Sequence, residues 1–187
     1  MRNDPRTRYT EMIIKKEFLE LLHHKPMSKI TVREICDRAE INRSTFYKHY
    51  LDCYDLLDKL KEETLTQFDE LMAGIDGSGA TPALLATLNA LEQNAETFQL
   101  IAPGSGGGEF TRQVVQRCYQ YLDMRFAELN ERGWDKGQKE TCYAFLIGGI
   151  SSVIERWMQC GCKEPAEEVA ATIMKLSEIM TSGLTEK

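Results

Sequence analysis

Helical periodicity is the feature that most limits how this chain can fold. Apolar residues recur at spacings of three and four along almost the whole sequence, and no segment alternates with a period of two. An α-helix brings residues three and four apart onto one face, whereas a β-strand needs alternation. The pattern therefore predicts an all-α fold of about nine helices.

The predicted helices form two parts, a three-helix head over residues 1–52 and a helical body over residues 53–187. Thr81-Pro82 is a start signal in the body, because a hydroxyl residue before proline suits an N-cap and a first helical position. The spacing of apolar residues predicts that the penultimate helix begins at Lys139 and ends at Cys160.

Nothing in the sequence points to export or to a membrane. The most apolar run, Tyr143–Ile154, has twelve residues, against about 20 needed to span a bilayer. The first nine residues are polar and lack the apolar centre of a secretory signal. The six cysteines are then most simply reduced thiols, and we expect a cytoplasmic protein with no membrane partner.

Charge is distributed unevenly between the two parts. The chain carries a net charge of −6, but residues 1–50 hold eleven Lys/Arg against seven Asp/Glu, a balance of +4. The remaining residues hold twelve against twenty-two, a balance of −10. A basic head on an acidic body gives nucleic-acid phosphates one place to bind.

Residues 31–50 have the pattern of a helix-turn-helix. Thr31 with Glu34 three residues later makes a capping box for one short helix. A turn containing Ile41 follows, and Asn42 is placed to cap the next helix. The N-terminal residues of such a second helix enter the major groove of double-stranded DNA.

The residue types in this second helix suit base and phosphate contacts. Arginine can grip guanine O6 and N7, and serine or threonine adapts to several base edges. Lysine, tyrosine, histidine and threonine can bond the flanking phosphates. The predicted DNA-binding residues are Lys29, Thr31, Asn42, Arg43, Ser44, Thr45, Tyr47, Lys48 and His49.

Thr45-Phe-Tyr-Lys-His-Tyr50, followed by Tyr54-Asp-Leu-Leu57, resembles the signature of the TetR family of bacterial regulators. The resemblance covers about residues 8–57. The body is similar in helix order, and Gly148-Gly149-Ile-Ser-Ser152 before Trp157 resembles one group of members. Membership implies a homodimer that binds operator DNA and responds to a small-molecule inducer or a partner protein.

Three positions depart from the pattern of this family. Glu40 stands where the turn usually carries glycine, and a positive φ there would cost about 1 kcal/mol. Cys36 replaces a common alanine, which is a small change. Cys53 replaces a frequent lysine at the start of the fourth helix, so one expected phosphate contact is missing.

Other motifs offer little chemistry. Cys160-Gly-Cys162 supplies two thiols without a nearby third ligand, and Gly104–Gly108 lacks the Lys-Ser/Thr of a phosphate-binding loop. His23-His24 is better placed to cap free carbonyls at a helix end. We therefore expect no metal, no cofactor and no enzymatic activity.

Aromatic residues and one methionine of the body fall on helices that surround a ligand cavity in the resembled family. For any one of them, ordinary core packing is the favoured interpretation, and a ligand contact is the alternative that the sequence leaves open. The candidate ligand-binding residues are Phe68, Met72, Phe98, Phe110, Tyr119, Phe126 and Tyr143.

The penultimate helix is apolar nearly all round, so we expect it to bury one face inside the subunit and one against a partner. Its small residues would let another helix approach closely, and a two-fold four-helix interface with the last helix satisfies both needs. The predicted interface residues are Gly148, Gly149, Ser152, Val153, Trp157, Ile173, Leu176 and Met180.

Two functional hypotheses follow. The first is a ligand-responsive repressor that acts as a homodimer on a palindromic operator. The alternative is a co-regulator of the same fold that acts mainly through a protein partner, favoured by the acidic body and by Cys53. Binding to DNA upstream of the protein's own gene separates them.

Overall fold

The computed structural model describes residues 4–74, 80–102, 109–120 and 135–183. These ranges contain nine α-helices, one 3₁₀ turn (Met27–Lys29) and no strand, which confirms the predicted all-α class. The helices are α1 Pro5–His24, α2 Val32–Arg38, α3 Arg43–Phe46, α4 Cys53–Ala73, α5 Ala80–Gln93, α6 Ala95–Ile101, α7 Glu109–Gln120, α8 Lys136–Gln159 and α9 Ala166–Gly183.

The chain divides into two compact units, Met1–Thr64 and Leu65–Lys187. The sequence predicts the division between residues 52 and 53, immediately before the first residue of α4. In the structure the first unit also includes residues 53–64 of that helix. None of the described helices combines the length and the apolar character needed to cross a bilayer.

Apolar side chains from helices α1 to α4 build the core of the first unit. Ile14 and Phe18 lie one turn apart on α1 and are fully buried, as are Ile35 of α2 and Leu56 of α4. Phe46 at the end of α3 is also fully buried. Helix α2 packs against both α1 and α3. This apolar centre holds the two helices of the helix-turn-helix against one another.

The turn between α2 and α3 requires a left-handed residue. The Ile41 amide donates to the carbonyl of Cys36 at 3.0 Å, which closes α2 over Glu40, and Glu40 has φ of 53°. Glycine adopts this conformation without a steric penalty, whereas a side chain crowds the carbonyl. The predicted cost of the non-glycine residue therefore applies here.

We expect Glu40→Gly to raise the free energy of unfolding by about 1 kcal/mol, because it removes this crowding. Urea unfolding followed by circular dichroism measures the change. Glu40→Ala is the matched control, since it removes the same charge but keeps the Cβ atom. A stabilisation that is as large for alanine as for glycine would mean that charge, not φ, is responsible.

Two helix starts in the second unit differ from the prediction. Thr81 is not an N-cap, because α5 already begins at Ala80 and includes Thr81 and Pro82. Helix α8 begins at Lys136 instead of Lys139, because Asp135 and Gln138 form a capping box. The Gln138 amide donates to Asp135 Oδ1 at 2.9 Å, and the Asp135 amide donates back to Gln138 Oε1 at 3.1 Å.

The core of the second unit forms where α5 packs on α9 and α8 packs on α7 and α6. Leu88, Leu91 and Ile154 are fully buried there. Helix α8 ends at a left-handed pair, Gly161 with φ of 78° and Cys162 with φ of 52°. The pair lies in the connection from α8 to α9, and these last two helices contact each other.

Candidate nucleic-acid interface

A capping box fixes the start of α2, as predicted. The Glu34 amide donates to Thr31 Oγ1 at 3.3 Å, and the Thr31 amide donates to Glu34 Oε2 at 3.1 Å. Lys25 donates to the other oxygen of Glu34. The Lys25 ammonium and, after it, the Thr31 hydroxyl hold the pKa of Glu34 below its usual value. The ionised carboxylate of Glu34 therefore stabilises the start of α2, the first helix of the motif.

Asn42 occupies the N-cap position of α3 but caps it only through the backbone. Its carbonyl accepts from the amides of Thr45 at 2.8 Å and Phe46 at 3.2 Å. Asn42 is thus the N-cap residue, as predicted, but its side chain makes no capping hydrogen bond. The Asn42 side chain is exposed and lies beside Arg43.

Helix α3 is short, and turns extend it to Tyr50. The amides of His49 and Tyr50 both donate to the carbonyl of Phe46, at 2.9 and 3.0 Å. The rings of Phe46 and Tyr50 are buried with centroids 5.6 Å apart. We call residues 43–50 the recognition segment. These two buried rings attach it to the core, while Arg43, Ser44 and Lys48 are exposed.

Most of the predicted DNA-binding side chains are accessible. Residues Asn42, Arg43, Ser44, Tyr47 and Lys48 are exposed, and Thr45 is half-buried. Within the described ranges, none of the first three side chains is hydrogen-bonded, and neither is Lys48. Lys29 and Thr31, at the start of the preceding helix, are also exposed.

His49 differs from the other predicted contacts because the fold already holds it. Its Nδ1 lies 3.1 Å from Glu11 Oε1 on α1, and its side chain is only 11% exposed. Its carbonyl accepts from Lys59 Nζ at 2.9 Å. Neither partner of His49 was predicted from the sequence. The spacing of four between Asp55 and Lys59 indicates only the ion pair that these two residues form on α4.

Asp52 and Asp55 build the start of α4. Asp52 Oδ1 accepts from the amides of Tyr54 at 2.7 Å and Asp55 at 2.9 Å, and Asp55 Oδ2 accepts from the Leu51 amide at 2.8 Å. The bond from Leu51, followed by the Lys59 side chain, lowers the pKa of Asp55. Leu51 and Tyr54 are 78% and 58% exposed, and neither is among the residues that the sequence predicts to bind DNA.

Cys53 is buried in the head. Burial raises the pKa of its thiol to about 11, so the group stays neutral at physiological pH. A neutral, buried thiol cannot replace the phosphate contact of a lysine.

Family comparison connects this motif to known proteins. Residues 18–60 match the model of bacterial regulatory proteins of the tetR family. Residues 80–178, more than half of the chain, match the model of a TetR-type transcriptional regulator C-terminal region. The chain belongs to the TetR family. It is therefore a transcriptional regulator with a DNA-binding head.

Solved TetR-family structures share the fold at low sequence identity. A TetR transcriptional regulator from Streptococcus agalactiae 2603V is 22% identical, with a TM-score of 0.71 over 93% of this chain and 96% of that one. The dihydroxyacetone kinase operon activator DhaS is 20% identical, with a TM-score of 0.68 over 95% and 98%. The fatty acid degradation regulator FadR from Bacillus halodurans is 16% identical, with a TM-score of 0.61 over both whole chains. No curated protein matches by sequence.

The predicted ligand-binding residues of this TetR-family body are mostly core residues. Phe68, Met72, Phe98 and Phe110 are buried, and the rings of Phe98 and Phe110 lie 5.0 Å apart. Tyr143 is half-buried. The Tyr119 side chain and Phe126 lie outside the described residues. A separate open cleft of about 670 Å³ is lined by Asp135, Gly137, Gln138, Thr141, Cys142, Phe145 and Met180.

The predicted dimer residues separate into exposed and buried groups. Gly148, Gly149, Ser152 and Leu176 are exposed, and a Cβ built on either glycine meets nothing within 4 Å. Val153 and Met180 are half-buried. Trp157 and Ile173 are instead 3% and 2% exposed, because both pack inside the second unit. The Trp157 Nε1 donates to the carbonyl of Glu164 at 2.8 Å.

Two exposed apolar residues were missed by the sequence analysis. Phe145 on α8 is 69% exposed and Ile179 on α9 is 58% exposed. Together with the four exposed predicted residues they follow helical spacing along two adjacent helices. We call this set the α8–α9 face: Phe145, Gly148, Gly149, Ser152, Leu176 and Ile179.

No group of three or more His, Cys, Asp or Glu side chains in the described ranges is arranged to hold a metal ion. Cys160 is exposed and Cys162, two residues later, is half-buried, and neither belongs to such a group.

Proposed function

We propose that this TetR-family regulator is a ligand-responsive repressor that acts in the cytoplasm as a homodimer on a palindromic operator. The observation that carries the proposal is the exposed polar turn Asn42-Arg43-Ser44 at the start of the recognition segment. In a helix-turn-helix, the N-terminal end of the second helix enters the major groove. Exposed polar side chains there that make no hydrogen bond within the protein are suited to contacting base edges.

Within this proposal, Arg43 bonds guanine O6 and N7 in the major groove, and Ser44 and Thr45 contact neighbouring base edges. Asn42 lies at the same end of α3 and suits an adenine edge. The remaining exposed residues position the head by bonding phosphates on either side: Lys29, Thr31, Tyr47 and Lys48. His49 supports the recognition segment instead, through its contacts with Glu11 and Lys59.

The α8–α9 face supports the proposed homodimer. Phe145, Leu176 and Ile179 each expose more than half of their surface in one chain, and apolar patches of this kind are characteristic of interfaces. Gly148 and Gly149 leave open space over α8, so a second helix can approach its backbone closely. A two-fold axis through the face would pair each helix with its copy.

Specific binding to an operator also requires a dimer. One head reads only a few base pairs, and useful affinity requires two heads at major grooves about 34–36 Å apart or a multiple of that. A ligand that binds the body and changes the spacing of the heads would then release the operator. Repression is the simplest outcome of binding, because an occupied operator blocks a promoter without any further contact.

We expect operator binding to weaken more than about 100-fold between 50 and 200 mM salt. Each phosphate neutralised by a lysine contributes a slope of about 0.9 in log affinity against log salt, and Lys29 and Lys48 supply four lysines per dimer. An electrophoretic shift with DNA upstream of the gene, or with DNA selected from a random library, measures the slope. Affinity that stays constant over this salt range would favour the co-regulator that acts through a protein partner.

A further inference from the structure

Lys59 makes three interactions, and all of them hold the end of the recognition segment. Its Nζ donates to the carbonyl of His49 at 2.9 Å and to Asp55 Oδ2 at 3.0 Å. The same ammonium lies 5.2 Å from the centroid of the Tyr50 ring, within the range of a cation–π contact. Its side chain remains 48% exposed.

These interactions fasten the chain on both sides of the turn between Tyr50 and α4. On one side, the ammonium binds the last carbonyl before Tyr50. On the other, Asp55 shares one oxygen between Lys59 and the Leu51 amide. The Lys59–Asp55 pair therefore connects His49, Tyr50 and Leu51 to the first two turns of α4.

The recognition segment needs such a connection because it has little structure of its own. Helix α3 contains four residues, and the following turns to Tyr50 rest on single backbone bonds. The buried rings of Phe46 and Tyr50 attach the segment to the core, but apolar contacts are not directional. A charge-assisted hydrogen bond to a carbonyl fixes both distance and direction.

We infer that Lys59 is a positioning residue for operator recognition, an inference that rests on the proposed function. It sets the angle at which Arg43 and Ser44 are presented, without touching DNA itself. Its ammonium is already committed to a carbonyl, a carboxylate and a ring, in contrast to Lys48, whose side chain has no hydrogen bond in the described ranges. Its role is thus distinct from that of a phosphate-binding lysine.

The test compares Lys59→Met, Lys59→Arg and the wild type. Methionine keeps an unbranched apolar stem and removes the ammonium, whereas arginine keeps the charge, the donors and the ability to stack on Tyr50. Lys136→Met is the matched control, because Lys136 also pairs with a carboxylate four residues away, Glu140 at 3.7 Å, on a helix of the second unit. Affinities are measured for selected operator DNA and for random DNA.

We expect Lys59→Met to weaken operator binding at least about tenfold, because each head of the proposed homodimer loses a charged hydrogen bond that positions its recognition segment. Random-DNA binding should stay within about twofold of the wild type. The salt slope should stay unchanged, Lys59→Arg should restore operator affinity, and Lys136→Met should match the wild type. In the absence of DNA, hydrogen exchange of the His49 and Tyr50 amides should become about tenfold faster in Lys59→Met, with the amides of α1 and α2 unaffected.

Three results for Lys59→Met would overturn the inference, and one result for the wild type would overturn it together with the proposed function. Equal weakening for operator and random DNA, with a salt slope smaller by about 1 per head, would identify Lys59 as a phosphate ligand. Faster exchange throughout the head, with affinity lost in proportion to unfolding, would identify a merely structural residue. Unchanged operator affinity would exclude any role. If the wild type itself shows no preference for any DNA, the proposed function fails, and the positioning role fails with it whatever the exchange data show.

Discussion

Leu176→Glu is expected to convert the proposed dimer to a monomer and to abolish operator binding, while the helices stay folded. Leu176 is 55% exposed in one chain, so a charged side chain there is solvated in the monomer. In a two-fold interface the same carboxylate would be buried twice without a partner, at a cost of several kcal/mol. A cost of about 4 kcal/mol raises the dimer dissociation constant roughly 1000-fold. Sedimentation velocity at micromolar concentration and far-UV circular dichroism measure the two effects.

Ala171→Glu is the matched control for this variant. Ala171 is exposed on the same helix, five residues earlier and therefore about 140° around it from Leu176. The new charge is identical, but it lies off the α8–α9 face and should leave the dimer intact. A wild-type monomer, or a monomeric Leu176→Glu that still binds operator tightly, would show that dimerisation through this face is not the basis of binding.

The choice of variant depends on information that the sequence did not contain. Helical spacing groups Ile173 and Leu176 on one apolar stripe, yet Ile173 is buried inside the chain and Leu176 is exposed. Ile173→Glu would place a charge in the core and unfold the second unit, which makes it a poor test of assembly. Periodicity identifies an apolar face, but only the packing of α9 against α5 decides which edge of that face remains uncovered.

The head was predicted in more detail than the body, because short-range chemistry determines most of it. Capping at Thr31 and the left-handed turn at Glu40 depend on residues within a few positions of each other. The contacts of His49 depend instead on Glu11 and Lys59, which lie 38 and 10 residues away. Long-range pairs of this kind leave no signal in the spacing of one sequence.

Arg43→Ala is expected to weaken operator binding by about 1–3 kcal/mol per half-site and to relax base preference at one position in each half. The Arg43 side chain is exposed and makes no hydrogen bond within the described ranges, so its removal should not change the stability of the head. Both halves of the operator lose the contact in a homodimer, and their losses add. Competition with operators mutated at single base pairs measures affinity and preference together.

Lys48→Ala and Arg112→Ala are the controls that distinguish a lost base contact from the loss of a positive charge. Lys48→Ala should weaken operator and random DNA alike and reduce the salt slope by about 1 per head, because a phosphate contact carries no sequence information. Arg112→Ala removes an exposed arginine of the second unit that pairs with Glu109, and it should leave both affinities unchanged. If Arg43→Ala behaved like Lys48→Ala, with every base preference preserved, Arg43 would be a phosphate ligand and base reading would have to come from other side chains of the recognition segment.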